Sequence, residues 1–76
     1  MTTHRLSAAD RALWPIEWGE VDRERAVIAA AQGIAWDARL NNAVRSGHYN
    51  AAVTCRGVRD SAFVEAAEAL LWWVRS

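Results

Sequence analysis

Apolar positions recur every three or four residues near the end of the chain, and they predict its clearest element. A helix capped at Asp60 or Ser61 runs through AFVEAAEALLWWVR. Phe63, Ala66, Ala67, Leu70, Leu71, Trp73 and Val74 fall on one broad apolar side, and Glu65, Glu68 and Trp72 on the other. Neighbouring helical residues point about 100° apart, so the two adjacent tryptophans must separate. This phase puts Trp73 at the edge of the core and turns Trp72 outward among the glutamates.

From Glu20 to Ser46 only Gly33 interrupts a helical pattern. Glu20, Asp22 and Glu24 mark the start, Arg39 and Arg45 the finish, and Gly47 follows as a stop signal. One straight helix over this stretch would be about 40 Å long, too long for a compact chain with a radius of gyration near ~11 Å. Val27, Ile28, Ala31, Ile34, Ala35 and Ala38 form one apolar stripe. Trp36, Leu40, Ala43 and Val44 form another on roughly the opposite side. The pattern therefore predicts a break near Gly33 with Asp37 as a new cap; a helix sandwiched between two partners is the alternative.

The remaining segments are shorter. Residues 1–6 read as a loose tail, and Ser7 with Asp10 resembles a capping box opening a helix from Ala8 to about Leu13. Pro15 disfavours helix at Trp14, and Ile16 and Trp18 sit in the connector that follows. In HYNAAVTCRG, alternation of Tyr49, Ala51, Val53 and Cys55 fits a strand, whereas Tyr49, Ala52 and Val53 group on a helix ended by Gly57. Helix is preferred over 49–56, with a short strand as the alternative. The expected fold is all-α, a small bundle of three or four short helices in a single domain over 1–76.

Composition narrows the function. Nine arginines, no lysine and nine acids give a formal net charge of zero, a poor footprint for nucleic acid. The arginine and alanine bias fits a GC-rich bacterial or viral genome. A single cysteine fits a reducing compartment, and no apolar run suggests a signal peptide or a membrane span, so the expected location is cytoplasmic. Zero net charge and a small core favour a homodimer, with Trp36 and Leu40 as its expected interface.

No cofactor, metal or catalytic set is expected. His4, His48 and Cys55 are too few and too scattered for a structural zinc site, and His48 with Cys55 lacks an orienting third group. No glycine-rich loop follows a strand pattern. The chain reads as no enzyme.

The stretch GHYNAAVTCRGVRDSAFVEAA resembles the helix–turn–helix of small phage terminase subunits and related regulators. The resemblance implies a first helix over 49–56, a turn at Gly57 and Val58, and a DNA-reading helix from Ser61. That helix carries Glu65 and Glu68 where phosphates would approach, and no cation between Arg59 and Arg75. A DNA-binding regulator using residues 48–75 is therefore the second reading.

The first reading is a small protein-binding module that inhibits a larger host protein or complex. In kind it is similar to the short, motif-free inhibitors of phages and mobile elements, anti-CRISPR proteins among them. Trp72, with Arg75 stacked on it and Glu68 and Glu65 beside it, is the expected partner-binding surface.

Overall fold

A computed structural model describes residues 8–14 and 16–75, and three helices account for most of them. Helix α1 spans Ala8–Ala12, α2 spans Trp18–Arg45 and α3 spans Tyr49–Arg75. No strand occurs among the described residues. The tail over 1–6, the cap at Ser7, and Pro15 lie outside them.

The fold is all-α, as the periodicity predicts, but its two main helices are long. Helices α2 and α3 form an antiparallel hairpin measuring 49 × 19 × 14 Å, with a radius of gyration of 15.3 Å. The compactness argument for breaking the chain at Gly33 fails because the molecule is elongated. Segment 49–56 is likewise the first part of α3. The expected helix ends at Gly57 and Asp60 are both interior positions of that helix. The turn at Gly57 and Val58 that the terminase resemblance implies is absent. Residues 49–75 form one rod instead of a helix–turn–helix.

The chain reverses at Gly47, whose φ of +73° is the left-handed conformation that glycine adopts without strain. The amide of His48 donates to the carbonyl of Ala43 at 2.9 Å, and that of Gly47 to Val44 at 3.1 Å. These two bonds make a Schellman motif, satisfying carbonyls that the end of α2 would otherwise leave open. One residue later the carbonyl of His48 accepts from Ala52 and starts α3.

The seam between the long helices explains why the expected apolar faces were misplaced. Buried on α2 are Asp22, Ala26, Ala29, Gly33 and Ala43; buried on α3 are Ala52, Cys55, Ala62, Ala66 and Ala69. Spacings of three and four dominate both sets, the interval that keeps one helix seam against another. Small residues let the backbones approach, and a Cβ built on Gly33 would lie 2.5 Å from the ring of Phe63. The large apolar residues are displaced outward. Val27, Ile28 and Ile34 are exposed, as are Phe63, Leu70, Leu71, Trp73 and Val74, all of them expected on the apolar faces.

Overfilling this seam should be costly. Ala69→Leu puts a branched side chain where Ala69 is fully buried, and should destabilise the hairpin by about 1–3 kcal/mol. Ala51→Leu, at an exposed position, should stay within about 0.5 kcal/mol of the parent. Denaturant unfolding of the two variants beside the parent checks the contrast.

Candidate partner-binding surfaces

The expected site residues Glu65, Glu68, Trp72 and Arg75 follow one another at spacings of three and four, so they share one side of α3. The structure changes how that side is used. Glu65, Glu68 and Trp72 are half-buried and Arg75 is exposed. The phase inferred for the paired tryptophans is reversed: Trp72 turns toward α1, while Trp73 is the more exposed ring. The cation over Trp72 is Arg11, its guanidinium carbon 4.4 Å from the ring centroid, where Arg75 was expected.

Arg11 is the centre of this end of the hairpin. Its guanidinium lies 4.6 Å from the ring of Trp18 as well, so two indoles hold it. It also donates to both carboxylate oxygens of Asp22, at 3.1 Å through Nη1 and by a second, closer bond through Nη2. Asp22 is the largest fully buried side chain described, and Arg25 lies 3.6 Å from the same carboxylate. A buried carboxylate needs such partners, because leaving it unpaired carries the full cost of removing a charge from water. The carbonyl of Arg11 accepts from the Trp18 indole at 2.7 Å. Together these contacts fasten the five-residue α1 to the hairpin.

Beyond Arg11 the chain presents a run of apolar side chains to solvent. The amides of Leu13 and Trp14 donate back to Asp10 and Arg11, and those of Ile16 and Trp18 to Trp14 and Ile16. These short-range bonds shape the connector. Leu13 is 77% exposed, Trp14 58% and Ile16 48%. In sequence they lie between Arg11 and Trp18, which with Trp72 and Arg75 line a shallow pocket.

The other flank of the seam has different chemistry. Ala26, Val27 and Ala30 of α2, with Ala66, Leu70 and Trp73 of α3, line an apolar groove edged by Arg23. Further toward the turn, Arg59 bonds to Asp37 at 2.8 Å and to Asp60 at 2.9 Å. Its hydrogen bonds to Asp37 and then to Asp60 raise its pKa further above the ordinary arginine value. Trp36 and Leu40, the expected dimer residues, are half-buried on α2, and Arg39 covers the Trp36 ring at 4.4 Å.

Cys55 is buried in the seam and His48 is exposed at the head of α3. Seven residues, roughly 10 Å along the helix, separate them. No group of three His, Cys, Asp or Glu side chains among the described residues could hold a metal ion. No helix among them is long and apolar enough to cross a membrane. The chain matches no known family, no curated protein and no solved structure.

Sequence reasoning singled out Trp72 but not Arg11, Trp18 or Asp22, which share its end of the hairpin. Asp22 gave a readable signal. It stands four residues before Ala26 on the small-residue seam, and a carboxylate there requires a cation. Which arginine answers it could not be read, because Arg11 lies on another helix.

The latch should be strongly coupled. Asp22→Ala leaves the Arg11 guanidinium without its carboxylate and should cost about 3 kcal/mol. The Arg11→Ala, Asp22→Ala double variant should cost less than the sum of the single changes, by about 0.5–3 kcal/mol. A double-mutant cycle on unfolding free energies measures this difference, and strict additivity would remove the latch.

Proposed function

We propose that this chain is a non-enzymatic protein-binding module, an inhibitor of a larger protein of the kind that phages and mobile elements encode. The observation that carries this reading is the solvent exposure of Leu13, Trp14 and Ile16, in the segment that joins Arg11 to Trp18, two of the residues that with Trp72 and Arg75 form a pocket. Tryptophan and arginine are the residues that most often dominate binding energy at protein interfaces. Here they stand on a support that the Arg11–Asp22 pair holds in place, so little ordering cost remains when a partner docks. Arg75 gives the rim a cation, while Glu65 and Glu68 continue the same side of α3 with acids. The partner surface that fits is an apolar pocket for an indole with an acidic group near Arg75.

Two features weigh against the DNA-binding reading. Helix α3 passes through Gly57 without a turn, and its carboxylates would face the phosphates.

The test is capture of a bacterial host protein by the tagged chain, repeated with Trp14→Ala. Truncating an indole that anchors an interface costs about 2–4 kcal/mol of binding, roughly a 30- to 1000-fold loss of affinity. Trp14 is exposed, so its melting temperature should hardly change. Capture that survives both Trp14→Ala and Arg75→Ala unweakened sinks this surface. Retention of the protein on duplex DNA, abolished by salt, would return the second reading.

A further inference from the structure

The Arg11 guanidinium is held by three side chains, none of them from α1. Trp18 and Asp22 belong to α2, and Trp72 belongs to α3. Two indole faces lie 4.6 and 4.4 Å from the guanidinium carbon, and one carboxylate takes both ends of its fork. Tryptophan faces attract cations, and a carboxylate matches a planar guanidinium with two parallel bonds. The hairpin by itself therefore carries a complete receptor for this one chemical group.

What fills the receptor comes from a segment with little other burial. Arg11 is the one buried residue of α1, and the other described residues from 8 to 17 are exposed. A helix of five residues has no stability of its own. The segment is thus presented to the cage as a short peptide with one buried anchor. Departure of Arg11 does not strand Asp22, because Arg25 lies 3.6 Å from the same carboxylate and is itself partly exposed. Trp18 and Trp72 are half-buried, and the shallow pocket they line with Arg11 and Arg75 gives access to the rings.

We propose that Trp18, Asp22 and Trp72 form a binding site for an arginine side chain of a partner protein, with Arg11 as the built-in occupant that closes it. An incoming arginine takes the place of Arg11, so the charge beside Asp22 and Arg75 is the same before and after. The short connector keeps Arg11 at an effective concentration of about millimolar, which a competitor has to match in concentration or affinity. Lysine is a poorer occupant, since an ammonium is a point charge that cannot span both carboxylate oxygens. This site is separate from the exposed Leu13, Trp14 and Ile16 that carry the proposed function, and it reaches beyond that reading.

The test uses the whole chain, with Nα-acetylarginine methylamide as the probe and the corresponding lysine compound as the control. The indole N–H resonances of Trp18 and Trp72 report binding. In Arg11→Ala the arginine probe should shift both resonances saturably and bind about tenfold more tightly than the lysine compound. The parent should respond about tenfold less, because Arg11 competes. Adding Asp22→Asn to Arg11→Ala should abolish the response. A folded Arg11→Ala chain that shows no saturable shift, or responds alike to both compounds, overturns the site. So does a response that survives Asp22→Asn. If Arg11→Ala is unfolded, recovery of its helical signal with the arginine probe supports the site, and failure to recover overturns it. Hydrogen exchange in the parent gives an independent reading. The Trp18 indole, bonded to the Arg11 carbonyl, should exchange through openings far more frequent than those that release the amides of Ala29 and Ala66. Exchange of the indole only with those seam amides would mean that Arg11 leaves on global unfolding alone, and overturns its role as a removable occupant. Neither measurement involves a host protein or Trp14, so failure here leaves the proposed function to its own test.

Discussion

Two long helices can lie along one another with this little between them only where neither carries bulk at the contact. Alanine, glycine and cysteine at the seam positions meet that condition, and the rest of the molecule follows from it. Among the described residues no leucine, isoleucine, valine, phenylalanine or tryptophan is buried, and these side chains sit on the seam's edges or in solvent. A close-packed interior made of methyl groups gains contact between backbones but little removal of apolar area from water. The hairpin therefore has well-defined geometry and a shortage of hydrophobic stabilisation at once.

The one large group admitted to the centre of the seam is a carboxylate, and it organises the open end. Asp22 is acceptable there because Arg11 arrives with a planar fork that matches both oxygens. The guanidinium is itself shielded by the faces of Trp18 and Trp72. Each member solves a problem that another creates. The acid needs a cation, the buried cation needs a weakly hydrating cover, and the indoles need something to lie against. The result ties three segments, distant in the chain, into one small assembly.

The helices themselves were legible in the sequence. Gly47 marked the end of α2, helix was preferred over strand at 49–56, and α1 was placed within about a residue. The faces were not legible, because ranking positions by hydrophobicity favours Ile28, Ile34 and Leu71 over the alanines beside them. The packing rule at work ranks by size. Asp22, Ala26, Ala29 and Gly33 recur at the seam interval as clearly as the larger residues do on the surface. Gly33 and Gly57 show a second limit. Glycine ends a helix only where its neighbours reward termination, and inside a packed rod its propensity cost of about 1 kcal/mol is outweighed. At the open end the sequence pointed to a stacked tryptophan and an arginine, but the arginine belongs to a helix sixty-one positions earlier.

The three-residue turn at Gly47 also sets the order in which the structure can form. Each contact across the seam pairs residues at nearly equal distances from the turn, so the first to close are the ones separated by the shortest loops. Zippering from Ala43 and Ala52 outward lets every new pair form at low entropic cost, the pattern of rapidly folding helical proteins. Arg11 meets Asp22 and Trp18 on its own side of the turn, so its stacking on Trp72 is the contact that waits for the far end of the seam to close. The Arg11–Trp72 stack is consequently the last contact of the hairpin to form and the first to open, and so a local readout of whether the whole rod is closed.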